Sequence, residues 1–146
     1  MTFEEAYKLI KRGDIISLRR ELEAGLDPNL SNRFGWTILM AAAGSGNTLI
    51  GRLLITNGAD LDRRTTHDFP KQTALSCAVQ SGHPTFVELL LKSGASLDCD
   101  PDRKTLDIFL DWAARYTYAR NNIDRIRALF DEARAEREIT NEERNA

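Results

Sequence analysis

Two histidines, two cysteines and an alternating run of aspartates are the groups in this 146-residue chain most able to do chemistry. A zinc site needs His and Cys ligands at short, recurrent spacings, and neither His67 nor His83 has a partner at such a spacing. His67 falls in a loop, where it faces solvent or a partner. A nucleophilic thiolate needs a basic neighbour. Spacing identifies none for Cys99, and Cys77 falls inside a short predicted helix as a small core hydrophobe. Asp98, Asp100 and Asp102 alternate in SLDCDPDRK, which hints at a cation loop. The glycine and later glutamate of an EF-hand loop are missing, so the acids read as solvated turn and helix-cap residues. Asp107 and Asp111 share a helix side, but spacing ties no second carboxylate cluster to them for general acid–base work. Gly44–Thr48, GSGNT, lacks the G-K-[ST] of a phosphate loop and reads as a break between helices. No catalytic residue, cofactor or metal site is expected, and the chain reads as a non-enzyme.

Bulk properties narrow the partners. The chain is 42% hydrophobic and 29% charged, as a globular protein is, with a formal net charge of -2. That balance gives no pull toward nucleic acid or an anionic membrane. Arg120, Arg125, Arg127, Arg134 and Arg137 are interrupted by Asp124, Asp131, Glu132 and Glu136, which predicts a solvated helix face with i,i+4 pairs. No apolar run is long enough to span a bilayer, and the opening MTFEEAYKL does not resemble a secretion signal. Two cysteines without a framework suit free thiols in a reducing compartment, so a cytoplasmic location is expected.

The elements that must position everything else repeat along the chain. Arg33 to Asp62 reads as turn, short helix, tight turn, longer helix and glycine turn. Leu39, Ala42 and Ala43 make a small-residue face, Gly46-Asn47 breaks the chain, and Ile50, Leu53 and Leu54 form a second stripe. Gly13 lies 33 residues before Gly46, and Gly25 lies 33 before Gly58. A weakened first unit is therefore predicted, with helices built on Phe3, Ala6, Tyr7, Leu9 and Ile10 and on Ile15, Ile16, Leu18 and Leu22. Its polar outer side, Glu4, Glu5, Lys8, Lys11 and Arg12, suits a terminal cap. Gly82 and Gly94 follow Gly46 and Gly58 by 36 residues, so three residues are inserted, within Arg64–Lys71. Gly51 costs helix propensity unless a bulky neighbour needs the space. A last, less regular unit has Leu106, Ile108, Phe109, Trp112 and Ala113 on its first helix and Ile123, Ile126, Leu129, Phe130 and Ala133 on its second, with the break at Asn121-Asn122.

Gly35-x-Thr37-x-Leu39, Gly46-Asn47, Asn57-Gly58-Ala59-Asp60, Thr73-Ala74-Leu75, Gly82-His83 and Gly94-Ala95 together resemble ankyrin repeats, over residues 2 to about 134. Ile38 and Met40 replace the usual proline and histidine, and Lys71 replaces the turn glycine, which predicts a distorted turn. The resemblance implies an all-α solenoid of about four stacked helix-turn-helix units with irregular caps. It implies one domain over residues 1–135, with units at about 2–29, 30–62, 63–98 and 99–134, and a polar, frayed tail at 136–146. It also implies that His83 hydrogen-bonds backbone between units.

By resemblance, the working surface is a concave face of hairpin tips and short inner helices that binds one or more proteins, not nucleic acid or membrane. It would combine Arg33, Phe34, Trp36 and Ser45 of the second unit with Asp68, Phe69, Gln72, Gln80 and Ser81 of the third. Arg115 and Tyr116 of the last unit would join them, with Arg103, Lys104 and Tyr118 as further candidates. Phe34, Trp36 and Phe69 flank turns, where aromatic residues can serve as interface anchors. Equally, Trp36 could pack on the neighbouring hairpin, Phe69 could plug the inserted loop, and the tyrosines could cover the final helix pair. The expected function is a protein-interaction module, monomeric when unbound, that masks or blocks a partner as an inhibitor or immunity-type protein does. The alternatives are an adaptor or chaperone-like subunit and a secreted effector.

Overall fold

The computed structural model describes residues 1–67, 70–97, 105–116 and 120–146, and the statements below concern those residues. They form eight helices: α1 Phe3–Arg12, α2 Ile15–Glu23, α3 Ile38–Ser45, α4 Thr48–Thr56, α5 Ala74–Gln80, α6 Pro84–Lys92, α7 Thr105–Tyr116 and α8 Arg120–Asn145. Helices α1, α3, α5 and α7 pack side by side in one layer, and α2, α4, α6 and α8 in the other. The predicted all-α stack of helix pairs is what the chain adopts.

Local chemistry explains where each helix starts and stops. Thr2, Asp14, Thr37, Asn47 and Thr73 each accept a hydrogen bond from the amide three residues on, which satisfies one orphan donor of the first turn. Pro84 opens α6, where its missing N–H costs nothing. Gly13, Gly46 and Gly82 have φ of 71°, 70° and 71°. Three breaks at the same left-handed bend, which a side chain would strain, put successive pairs in register despite the changed spacing. The three extra residues lie ahead of α5, as expected.

Small residues let the pairs approach. Ala41, Ala42 and Ala43 are all buried on α3, between α1 and α5. Gly51 lies under the ring of Phe86: a Cβ added there would stand 2.6 Å from Phe86 Cζ. The bulky neighbour anticipated from the sequence is this ring, and it is fully buried. Polar latches join successive units. Asn29 Oδ1 accepts from the Asp60 amide at 2.7 Å, and Asp62, 33 residues after Asn29, accepts at Oδ1 from the Ser96 amide at 2.8 Å. The His83 ring lies against Gly46 with Nε2 3.3 Å from the Gly44 carbonyl oxygen, and Asn122 Nδ2 donates to the Gly82 carbonyl at 3.1 Å.

The last pair departs from expectation. Ile108 and Trp112, expected in the buried stripe of α7, are 52% and 43% exposed. Leu106, Phe109 and Ala113 are buried as expected and Leu110 joins them, the i, i+3, i+4, i+7 pattern of one helix face. Ile16 is likewise turned outward from α2, 72% exposed. The arginines of α8 reach across to neighbouring helices: Arg125 to Glu88 at 3.5 Å, Arg127 to Asp111 at 3.4 Å and Arg134 to Asp107 at 3.8 Å. Polar segment 136–146, expected as a frayed tail, carries α8 on through Asn145. Arg137 Nη2 donates to the Ala95 carbonyl at 2.6 Å and ties its start to the turn after α6.

Candidate protein-binding surface

The inner side of the α1–α3 seam is a groove of about 460 Å³. Phe3 and Tyr7 from α1 form one wall, their rings stacked at 6.0 Å. Phe34 and Trp36 come from the hairpin before α3, and Met40, Ala41, Gly44 and Ser45 from α3 itself. Glu4 and Lys11 are the charged lining residues, and the Lys11 ammonium stands 5.9 Å from the centre of the Tyr7 ring.

The hairpin is built by its own backbone. Ser31 and Thr37 form an antiparallel bridge, and Asn32 Oδ1 accepts from the amides of Phe34 and Trp36 at 2.9 and 3.1 Å. That Asn side chain organises the turn from inside. The inserted loop leans on it. Thr66 N donates to the Phe34 carbonyl at 2.9 Å, and the Arg64–Thr66 backbone lies so close to Gly35 that a Cβ there would sit 3.1 Å from the Arg64 oxygen. Thr65 N donates to the Gln72 carbonyl at 3.0 Å, and Gln72 N donates back to the buried Thr65 hydroxyl at 2.9 Å. Two tips therefore meet side by side. Their rings touch: Phe34 meets His67 edge-on at 5.6 Å, and the Arg33 guanidinium lies 4.6 Å from the Phe34 ring centre.

Of the expected surface residues, Phe34, Trp36 and Ser45 come together in the groove, and Arg33 lies beside them. Phe34 is 40% exposed, whereas Trp36 is half-buried and packs against the core. The Ser45 hydroxyl donates to the Ala41 carbonyl at 2.9 Å. Gln80 and Ser81 lie one seam further along, at the end of α5. Gln72 is half-buried and spends its backbone on Thr65. Arg115 is exposed near the end of α7, two helices away from the groove. Asp68, Phe69 and the side chain of Tyr116 lie outside the described residues, as do Arg103, Lys104, Tyr118 and Cys99.

Phe3, Tyr7, Lys11, Asn32 and Met40 were not among the expected surface residues. A signal for two of them existed. Counting back 33 residues places Tyr7 in register with Met40 and Lys11 with Gly44. Read as part of a cap, the first helix hid that row. Cys77 is buried, its thiol donating to Gln72 Oε1 at 3.5 Å, and His83 makes the contact between units that the resemblance implied. Among the described residues, no three His, Cys, Asp or Glu side chains gather as a metal set.

A sequence model of the family described as "Ankyrin repeats (3 copies)" matches residues 8–105. The chain belongs to the ankyrin repeat family. Human ankyrin repeat and KH domain-containing protein 1 is 34% identical over 87 residues, 60% of this chain but 3% of its own length. The ankyrin repeat, SAM and basic leucine zipper domain-containing protein 1 of Rhinolophus ferrumequinum is 34% identical over 93 residues, 60% of this chain and 19% of its own length. Mouse ankyrin repeat domain-containing protein 17 is 41% identical over 64 residues, 44% of this chain and 2% of its own. The chain thus spans less than a fifth of the length of each of these relatives. Ankyrin repeats are in general a protein-interaction architecture, and stacking such units yields extended binding surfaces. No helix among the described residues is long and apolar enough to cross a membrane.

Proposed function

We propose that this ankyrin chain binds another protein through the α1–α3 groove and the paired hairpin tips, and acts by occupying that partner. The observation that carries this reading is the clustering of Phe3, Tyr7, Phe34 and Trp36 around one open groove, with Arg33 stacked at its edge. Rigid aromatic and arginine side chains at a surface are the residue types that dominate interface energies. Residues 1–135 serve as one binding domain of four units, monomeric until bound and working in the cytoplasm. Masking or blocking the partner, in the manner of an inhibitor or immunity protein, is the mode we favour.

A second mode, bridging two proteins, is favoured by a separate observation. Ile16 and Leu49 are 72% and 65% exposed on the outer layer, away from the groove. Capture of partners from the source cell by the whole chain, compared with Trp36→Ala, tests the face. Truncating a central anchor is expected to weaken capture by about 30-fold or more, the size of a hot-spot loss. Undiminished capture removes the groove from the binding surface. A blocker is then expected to form a 1:1 complex that silences its partner, whereas a bridge must hold two partners at once.

A further inference from the structure

The groove and the tips beside it gather several cations, and that cluster bears on what binds there. The chain is acidic overall, at a net -2. The two tips nevertheless carry Arg33, Arg63, Arg64 and Lys71, all exposed, and none of them is in an ion pair among the described residues. On the outer layer, Arg125, Arg127 and Arg134 of α8 are each matched with a carboxylate, whereas Arg19, Arg20 and Arg52 of α2 and α4 are, like the tip cations, in no ion pair among the described residues. Lys11 adds a fifth cation on the far side of the groove.

Two of these cations are held in place by rings. The Arg33 guanidinium lies over Phe34 and the Lys11 ammonium near the face of Tyr7, one at each side of the same apolar trough. Cations resting on aromatic faces are already partly ordered, so less freedom is lost when an anion meets them. Arg64 is brought to the same edge by the contact of its backbone with Gly35 and by the bond from Thr66 to Phe34. The trough itself, at about 460 Å³, is within the range of pockets that take a large apolar group.

From this juxtaposition we infer that the partner of the proposed binding face presents an acidic segment with a large apolar side chain at its centre. The apolar side chain enters the groove between Tyr7 and Trp36, and flanking Asp or Glu side chains meet Lys11 on one side and Arg33 and Arg64 on the other. The inference rests on the groove being the binding face. An apolar floor of Phe3, Tyr7, Trp36 and Met40 with Glu4 at its edge suits a peptide better than a phosphate backbone. Charge complementarity of this kind fixes register and speeds encounter.

Selection of dodecapeptides from a random display library on the whole chain tests it. Enriched sequences are expected to place an aromatic or large aliphatic residue among acids. A synthetic peptide of that type should bind about tenfold or more weakly when its central residue becomes serine, and by a similar factor to the Arg33→Glu, Arg64→Glu double variant. Both substitutions are on exposed side chains, and an unchanged thermal transition confirms that the variant folds. Enrichment of basic or neutral peptides, no enrichment at all, or tighter binding of an oligodeoxythymidine than of the acidic peptides would each overturn the inference. If the peptides fail while a Trp36→Ala variant that keeps the helical content and cooperative melt of the parent still loses the cellular partner, the face stands and its acidic ligand does not. If both fail, the face itself is wrong.

Discussion

Ser17, Ile50 and Phe86 occupy equivalent positions on the outer helices α2, α4 and α6, spaced by 33 and 36 residues. Between the second and third units the seam is filled with rings. Phe86 presses on Gly51, and His83 presses on Gly46, where a Cβ would stand 2.7 Å from Nδ1. Between the first and second units the same positions hold Ile50, a fully buried aliphatic side chain, and Asn47, whose amide lies 3.5 Å from where a Gly13 Cβ would be. The aromatic residues near that seam, Phe3, Tyr7, Phe34 and Trp36, line an open groove on the inner side instead. One repeat geometry is thus used in two ways: rings inside the stack hold units together, and rings at its surface are available to another protein.

The largest effect expected from this contrast is on stability. Phe86→Ala should cost about 3–5 kcal/mol, because it removes a fully buried ring and leaves a cavity against Gly51. Tyr7→Ala in the groove should cost about 1 kcal/mol. Denaturant melts of the two variants decide the matter. Equal losses would mean that the two seams are packed alike and that the groove rings are core.

Gly51→Ala comes next in size. Alanine is the better helix former by about 1 kcal/mol, so propensity alone predicts a gain. The added methyl would lie 2.6 Å from the Phe86 ring and 3.1 Å from Leu89 Cδ2, so overpacking should win and destabilise the chain by about 1–3 kcal/mol. With Phe86 shortened to leucine the same change should be far less harmful. A double-mutant cycle showing no coupling would separate the glycine from the ring.

How much of this was legible in the sequence follows from what each feature depends on. The breaks at Gly13, Gly46 and Gly82 were legible because a left-handed bend restricts the residue type locally. The missing side chain at Gly51 was legible as a vacancy, but which ring fills it depends on the docking of α6 on α4. The burial of Leu110 in place of Ile108 and Trp112 was missed, since α7 holds more apolar positions than one face can use. Of the groove, Phe34 and Trp36 stood out as aromatics beside a turn. The opposite wall did not, because Phe3 and Tyr7 were already accounted for as helix stripe. Lys11 was assigned to the polar side of a cap, and only stacking α1 on α3 brings it to the groove.

The smallest effect concerns acid, and it too falls outside the ring-filled seam. Glu5 is held below its usual carboxyl range by hydrogen bonds from the Thr2 amide and then the Thr2 hydroxyl. Asp14 is lowered by the Ser17 amide and then its hydroxyl, and Glu88 by a hydrogen bond from Lys92, the Lys92 charge and more weakly by Arg125. Each carboxylate is lowered in the folded chain, so the unfolded chain binds protons first as pH falls. Their contribution is therefore fully present above the ordinary carboxyl range and is lost as pH drops through the lowered folded values. Glu5 is exposed and Asp14 and Glu88 are only partly buried, which keeps the effect small. Tm should be flat from about pH 7 to about pH 5 and decline below about pH 4. Asp14→Asn retains an acceptor for the Ser17 amide but cannot titrate, so its decline should be shallower than that of the parent. A parallel decline would place the acid sensitivity elsewhere, and Glu88→Gln, which loosens the link from α6 to α8, is the variant that would then separate the last seam from the first.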